Sequence, residues 1–260
     1  MRTVAVVGAG GRLGRELAEA IAGSADCQLV GAVDTTATGS IGGCAVVANL
    51  HDLEITPEVV LITTTPDAVV AVASDALDRG SHVVIGTSGV GEPERALLHA
   101  RAMERERSVL VVPNFALGAV LLLRFAALAA KFFPSVEVIE LHHPNKIDAP
   151  SGTATHTVEV LAAARSAAGL DVPPDATTVE ALPGARGAVG PGGIHVHAVR
   201  LTGLVAHEEV LFGGPGEQLT LRHDSMDRSS FVAGALLAVA SVGHLPGLSV
   251  GLDQFLDTAR

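Results

Sequence analysis

The first 115 residues alternate short apolar runs with longer runs of mixed polarity. The apolar runs are rich in Val, Leu, Ile and Ala, and they predict strands over 3–7, 28–33, 59–63, 82–85 and 109–112. The runs between them predict helices over 12–22, 67–79 and 92–106. Strands that are apolar throughout are typical of a parallel sheet with helices on both faces. The pattern therefore predicts an α/β fold with a doubly wound parallel sheet.

The pattern changes after about residue 116. Helices are expected over 118–132, 152–168 and 229–242, and strands over 136–142, 194–201, 206–212 and 218–222. Polar and apolar residues mostly alternate in 195–201, as in a sheet with one packed face. Consecutive strands with little helix between them favour an antiparallel or mixed sheet. We therefore expect one domain from 1–115 plus 225–260, and a second, α+β domain over 116–224.

Composition narrows the class of protein. The 260 residues are 48% hydrophobic, lack Trp and Tyr, and carry a formal net charge of −11, so we expect no nucleic-acid partner. No apolar run reaches the ~18 residues of a membrane span. The first residues lack the basic stretch and longer apolar stretch of a secretion signal, so we expect none. The two cysteines, Cys27 and Cys44, then favour a reducing cytoplasm over a disulfide. They lack neighbouring metal ligands, so no metal is expected.

A glycine-rich turn follows the first predicted strand. The predicted cofactor-binding residues there are Gly8, Gly11, Arg12, Leu13 and Gly14, and Gly10 adds a further glycine. Such a turn lets the backbone approach a pyrophosphate at a helix N-terminus. Asp34, 20 residues past Gly14, ends the second strand, where a carboxylate accepts hydrogen bonds from ribose hydroxyls. The combination favours a Rossmann-type dinucleotide site over a turn without a ligand.

The same aspartate predicts the choice of cofactor. A carboxylate at Asp34 repels a 2′-phosphate, and no Lys or Arg occurs between residues 16 and 78 to offset it. We therefore expect NADH to be preferred over NADPH, with dual use open through Arg12 or Arg15.

The segment 140–155 concentrates groups that bind anions and move protons. It places His142, His143, Lys146 and Asp148 before a Ser-Gly-Thr that starts a predicted helix. The first N–H groups of a helix have no partner within it, and they attract carboxylates. The segment therefore predicts a site for a small anionic substrate. The alternative is structural: the two histidines cap a strand, and Asp148 only pairs with Lys146.

The run Glu-Leu-His-His-x-x-Lys-x-Asp-Ala-Pro-Ser-Gly-Thr-Ala over 140–154 resembles the signature of the dihydrodipicolinate reductase family, most closely its actinobacterial branch. Further similar segments are 8–14, 86–89, 113–115, 182–186 and 223–231. The resemblance implies NAD(P)H-dependent reduction of 4-hydroxy-tetrahydrodipicolinate, a cyclic dicarboxylate, in lysine and diaminopimelate biosynthesis. It also implies an open mixed sheet in the second domain, through which a homotetramer assembles.

The resemblance also assigns roles to individual residues. His142 matches the residue that donates or accepts a proton, and Lys146 matches a second proton donor. The residues that match substrate contacts are His143, Gly152 and Thr153. The residues that match further cofactor contacts are Gly86, Thr87, Ser88, Val112, Pro113, Asn114 and Phe115.

One segment departs from the family. Related enzymes carry Asp-Phe-Thr after the third strand, whereas this chain has Ile62-Thr63-Thr64, and the aromatic residue normally helps to pack the cofactor. Two alternatives therefore stay open: a reductase of another cyclic imine acid in secondary metabolism, and a non-enzymatic nucleotide-sensing protein. A sensor does not need proton donors such as His142 and Lys146. A thiol-dependent aldehyde dehydrogenase is excluded, because neither cysteine lies near the substrate segment.

Three other polar features have competing interpretations. His195 and His197 lie on one face of a predicted strand, which favours a solvated or interface sheet face over a metal site. Arg186 suits either the anionic substrate or a salt bridge within its loop. The run 207–209 is expected to form a polar strand edge.

Overall fold

The computed structural model describes residues 1–87 and 89–257. Its strands, in chain order, are β1 (Arg2–Val7), β2 (Cys27–Val33), β3 (Ser40–Ile41), β4 (Cys44–Val47), β5 (Val59–Ile62), β6 (His82–Ile85), β7 (Ser108–Val111), β8 (Ser135–His142), β9 (Ala188–Val189), β10 (His195–Arg200), β11 (Ala206–Gly214), β12 (Glu217–Ser225) and β13 (Gly247–Val250). Its α-helices are α1 (Arg12–Ala22), α2 (Pro66–Asp78), α3 (Glu92–Glu104), α4 (Leu117–Ala129), α5 (Gly152–Ala167) and α6 (Val232–Ser241).

The chain forms two compact units. The first comprises Met1–Leu117 together with the chain from Arg228 onward, and the second comprises Gly118–Asp227. Each unit has its own sheet and contains its own cluster of buried apolar side chains.

The first unit contains an eight-stranded sheet in the order β13-β7-β6-β5-β1-β2-β4-β3. All neighbouring strands are parallel except β3 and β4. Strands β5 and β7 are buried along their whole length, as apolar residues at every position predict for a sheet covered on both faces. The predicted Rossmann-type parallel sheet is therefore confirmed.

The carboxyl ends of four parallel strands form one straight edge of this sheet. The residues in register there are Val7, Ile62, Ile85 and Val111. The next residues continue the row, since the Thr63 amide donates to Val7 O at 2.9 Å and the Gly86 amide to Ile62 O at 2.9 Å. Ligands of open parallel sheets bind at such an edge.

The second unit contains a five-stranded sheet in the order β12-β11-β8-β10-β9. Strands β8 and β10 are parallel and the other neighbours are antiparallel, so the predicted mixed sheet is confirmed. Side chains of Val136 and Val138 pack with α4 and α5, and we call this the helix-covered face. The alternate residues of β8, such as Glu137 and Ile139, point to the opposite, open face.

Several local predictions were wrong. The hairpin β3–β4 and the strands β9 and β13 were not expected, α4 ends at Ala129 instead of 132, and residues Arg228–Phe231 form a 3-10 turn before α6. The run 207–209 is not an edge, because β11 lies between β12 and β8 and both His207 and Glu208 are 7% exposed. No helix among the described residues is long and apolar enough to cross a membrane.

Candidate functional site

The glycine turn after β1 leaves no room for a side chain at Gly8 or at Gly14. Gly8 has a φ of +83°, and a Cβ on it would lie 2.7 Å from Thr63 O. A Cβ on Gly14 would lie 2.0 Å from Gly8 O. The turn leads into α1, where Gly11 is the N-cap and no side chain caps the first amides. These N–H groups and the helix dipole suit a phosphate.

Asp34 is fixed at the end of β2 by four hydrogen bonds. Its carboxylate accepts from the Gly10 amide, the Thr36 amide and hydroxyl, and the Ala37 amide, each at 2.9 Å. Burial raises the pKa of Asp34, but the hydrogen bonds outweigh it and hold the pKa below its usual value. The carboxylate is therefore ionised, and it is tied to the glycine turn.

A cavity of about 820 Å³ lies against this turn within the first unit. Among the predicted residues, Gly8, Gly11 and Asp34 line it, whereas Arg12, Leu13 and Gly14 do not. Gly14 is buried beneath the turn and Arg12 is exposed. No Lys or Arg occurs among the described residues that line the cavity.

The other predicted cofactor segments continue the same sheet edge. Gly86 and Thr87 follow β6, and the Thr87 hydroxyl donates to Thr64 O at 2.9 Å. Phe115 is 3% exposed, and a Cβ on Gly86 would lie 2.3 Å from its ring, so the ring packs on the Gly86 backbone. The predicted residues Val112, Pro113 and Asn114 follow β7 at this edge. The predicted Ser88 lies outside the described residues.

The departure at Ile62-Thr63 also lies at this edge. Ile62 is fully buried at the end of β5. The hydroxyl of Thr63 donates to Val7 O at 3.1 Å, and Thr63 lines the cavity. A short polar side chain thus stands beside the glycine turn where the family resemblance leads one to expect an aromatic ring.

In the second unit, His142 ends β8 on the helix-covered face. Its Nδ1 is bonded to Glu140, whose side chain is 0% exposed. Burial lowers the pKa of His142 and the charges of Lys146 and Arg200 lower it further, against the opposing effect of Glu140. The net direction is downward, so the imidazole is neutral near neutral pH.

Lys146 lies in the turn that follows, where its amide donates to His143 O at 3.2 Å. Its Nζ contacts both oxygens of Asp148, at 2.8 and 2.9 Å. The pKa of Asp148 is lowered chiefly by this hydrogen bond. His143, at the start of this turn, is exposed.

Helix α5 starts at the end of the same segment. The Ser151 hydroxyl accepts from the Ala154 amide at 3.1 Å and caps the helix. The Gly152 and Thr153 amides belong to the first turn, where N–H groups have no partner within the helix. Both residues are exposed, and a Cβ on Gly152 would have no atom within 4 Å. Open space therefore lies beside the predicted carboxylate site.

Two residues of this site carried no predicted role. Arg200 on β10 forms a bidentate ion pair with Glu140, with N···O distances of 2.9 and 2.8 Å. Glu140 stands within the recognised motif, but Arg200 is 60 residues away in the chain. Only the pairing of β10 with β8 brings the two side chains together.

The other polar candidates contact carboxylates. Arg186 contacts Glu137 at 2.6 Å and Asp175 at 3.3 Å, which is the loop salt bridge. His197 contacts Glu137 at 2.7 Å and His195 contacts Asp175 at 3.0 Å. No group of side chains that could hold a metal ion occurs among the described residues.

Comparison with known proteins gives one consistent result over nearly the whole chain. The family model "Dihydrodipicolinate reductase, N-terminus" matches residues 2–115, and "Dihydrodipicolinate reductase, C-terminus" matches 118–256. The 4-hydroxy-tetrahydrodipicolinate reductase of Nocardia farcinica is 49% identical over 262 residues, covering 98% of each chain. That of Corynebacterium diphtheriae is 47% identical over 256 residues, with the same coverage. A dipicolinate-bound dihydrodipicolinate reductase from Paenisporosarcina sp. TG-14 superposes with a TM-score of 0.89 at 37% identity, covering 98% of this chain and 100% of that one.

Proposed function

This chain belongs to the dihydrodipicolinate reductase family, and from that membership we propose how its own residues carry out the reaction. It is an NAD(P)H-dependent oxidoreductase that reduces 4-hydroxy-tetrahydrodipicolinate to tetrahydrodipicolinate in lysine and diaminopimelate biosynthesis. Relatives of 47–49% identity carry this activity in their names. The alternatives, another cyclic imine acid or a sensing role, are not favoured.

The residues of the first unit fit the cofactor. The tight path of the glycine turn requires glycine at Gly8 and Gly14, where a Cβ would collide with neighbouring protein atoms, and the uncapped start of α1 suits a pyrophosphate. When bound, the reduced nicotinamide supplies a hydride. We propose that Asp34 accepts hydrogen bonds from the ribose hydroxyls and that NADH is preferred, because the ionised carboxylate meets no Lys or Arg among the described cavity residues.

Measurement of kcat/KM with both cofactors tests this preference. Wild type should favour NADH, and Asp34→Asn should shift the ratio toward NADPH because the repulsion of the 2′-phosphate is removed. Asp78→Asn is the matched control, since Asp78 is exposed, pairs with Arg101 and Arg105, and does not line the cavity. A strong NADPH preference in wild type would contradict the proposal.

The second unit supplies the substrate site. We propose that the amides of Gly152 and Thr153 bind one carboxylate of the substrate, and that His143 orients its ring. Negative charge builds on the ring as it is reduced, and a nearby cation stabilises that charge while a positioned acid neutralises it. Lys146 supplies both the positive charge and a proton. The neutral His142 enters the reaction with Nε2 unprotonated. The supporting observation is that Glu140 and Arg200 together contact His142, the Ser151 amide at the start of α5 and the backbone of Asp148.

Substitution of the lysine tests this assignment. Lys146→Ala should lower kcat by ~10²-fold or more, as expected for loss of a general acid. The sequence offers a matched control, because its only other lysine, Lys131, is exposed just after α4. Lys131→Ala should leave kcat unchanged, and near-normal turnover of Lys146→Ala would overturn the role. Amide shifts of Gly152 and Thr153 on addition of pyridine-2,6-dicarboxylate test the carboxylate site separately.

We propose that the open face of the mixed sheet assembles a homotetramer, as the family resemblance implies. Apolar residues point to that face from three strands: Ile139, Leu141, Val199 and Leu211. Light scattering should give about four times 26.4 kDa, and Leu211→Glu should lower that mass. A monomeric wild type would contradict the assembly.

A further inference from the structure

Glu140 is the point where three segments of the second unit meet. Its side chain is 0% exposed. One oxygen accepts from Arg200 on β10 at 2.8 Å and from the Ser151 amide at 3.3 Å. The other accepts from Arg200 at 2.9 Å and contacts Nδ1 of His142. Both oxygens are therefore fully engaged, and the carboxylate has one fixed orientation.

Arg200 extends this arrangement to the lysine turn. One of the two Arg200 nitrogens that donate to Glu140 also donates to the backbone carbonyl of Asp148, at 2.7 Å. Asp148 is the residue whose carboxylate holds Lys146. The ion pair between Arg200 and Glu140 thus fixes the imidazole of His142, the start of α5 and the backbone beside Lys146 relative to one another.

The charge of Glu140 determines which imidazole nitrogen carries the proton. Burial raises the pKa of Glu140, but Arg200 and His142 outweigh burial and hold the pKa below its usual value. An ionised carboxylate accepts hydrogen bonds and donates none. Nδ1 of His142 must therefore carry a hydrogen, and in the neutral ring Nε2 keeps its lone pair.

We propose that Glu140 and Arg200 are positioning residues that hold His142 as the Nδ1–H tautomer, so that Nε2 enters the reaction unprotonated and the net proton consumed in the reduction comes from Lys146. The catalytic consequence of this arrangement rests on the proposed function. The tautomer itself does not, because it follows from contacts within the second unit.

NMR of ¹⁵N-histidine-labelled protein tests the tautomer, with the His142 signals identified by their absence in His142→Gln. Wild type should show a protonated Nδ1 and an unprotonated Nε2. Glu140→Gln should lose this pure state, because a carboxamide both donates and accepts. Glu137→Gln is the matched control: Glu137 lies on the same strand and also contacts one Arg and one His, but on the open face. It should leave the His142 signals unchanged.

Titration of the same signals supplies a readout that loosened packing would not reproduce. Three charged groups act on His142: Glu140, Lys146 and Arg200. Glu140→Gln should lower the pKa of His142, and Arg200→Gln should raise it. Shifts in the same direction would overturn the proposal, as would an Nε2–H tautomer in wild type. Should Glu140→Gln fail to fold, the wild-type tautomer and Arg200→Gln decide the question.

Kinetics separate this proposal from the proposed function. Glu140→Gln should lower kcat by roughly 10²-fold, as for other losses of acid–base function, with KM for the substrate changed by less than about threefold. Normal kcat in Glu140→Gln would overturn the positioning role. Normal kcat in both His142→Gln and Lys146→Ala would instead overturn the proposed function while leaving the tautomer result intact.

Discussion

Strand β8 carries two clusters of the same three residue types, one on each face. The Glu140 cluster comprises Arg200, Glu140 and His142 on the helix-covered face, and the Glu137 cluster comprises Arg186, Glu137 and His197 on the open face. The Glu140 side chain is 0% exposed and that of Glu137 is 32% exposed. The same three residue types therefore contribute differently to stability, because the Glu140 carboxylate is removed from water and the Glu137 carboxylate is not.

The connections of the two clusters differ as well. Glu140 also accepts from the Ser151 amide and so reaches the start of α5, and its histidine is the last residue of β8. The histidine of the Glu137 cluster lies in the middle of β10, and its arginine comes from the loop before β9. The Glu137 cluster therefore secures a loop to a sheet, whereas the Glu140 cluster orients groups at the proposed substrate site.

Removal of the arginines should separate the two clusters most clearly. Arg200→Ala leaves Glu140 buried without its counter-charge, and loss of one partner of a buried ion pair costs about 3–5 kcal/mol. Arg186→Ala removes a partner of a partly exposed pair that water screens, and it should cost much less. Urea unfolding of both variants measures the difference. Equal losses would show that burial does not distinguish the clusters.

A third glutamate tests whether Arg200 is what keeps Glu140 ionised. Glu208 lies directly opposite Glu140 on β11, but its carboxyl accepts a hydrogen bond from the Thr157 hydroxyl, at 2.7 Å. Burial, helped by the charge of Glu140 and opposed by Thr157, raises the pKa of Glu208 from 4.5 to about 7. On the same face, the pKa of Glu140, which pairs with an arginine, is lowered, whereas the pKa of Glu208, which bonds a hydroxyl, is raised.

The pH dependence of stability measures this effect. A raised pKa in the folded state gives stability that is fully present below pH 4.5 and is lost as the pH rises through about 7. The side chain introduced by Glu208→Gln does not ionise, so the variant does not undergo this loss. Relative to wild type, its unfolding free energy should therefore rise by about 3 kcal/mol between pH 4.5 and pH 9. A constant difference across this range would contradict the raised pKa.

The smallest expected effect concerns salt. Glu137→Gln should lower the unfolding free energy by about 0.2–1 kcal/mol, and most of that loss should disappear in 1 M NaCl, because salt screens exposed charges. The loss in Glu140→Gln should persist in salt, since a buried pair is screened much less. Urea unfolding at two salt concentrations provides the comparison, and equal salt sensitivity would contradict the assigned burial.

The sequence predicted the regular elements where its pattern was long. The bounds of α1 agree with the prediction, because its apolar positions repeat at helical spacing over three turns. Strands as short as β3 and β9, with two residues each, have too few positions to show a period. Glu208 was misplaced because charged residues normally mark an exposed strand, and only the position of β11 between two strands shows that it is buried.

The candidate site was predictable where its groups are neighbours in sequence. His142, Lys146 and Gly152 stand within one short motif, and the structure brings that motif to the end of β8 and the start of α5. The partnership of Glu140 with Arg200 was not predictable, because it depends on the parallel pairing that sets Arg200 beside His142. Register between strands distant in sequence is a property of the folded sheet.

The contact between Lys146 and Asp148 reduces the electrostatic free energy that an anionic ligand gains by binding at this lysine. Any incoming carboxylate meets an ammonium group that already has an anionic neighbour, at 2.8 Å. Docking there trades one counter-ion for another, so the net Coulomb gain at Lys146 is small. At the proposed substrate site, discrimination among anions would therefore fall to the backbone amides of Gly152 and Thr153, since the first N–H groups of a helix have no partner within it.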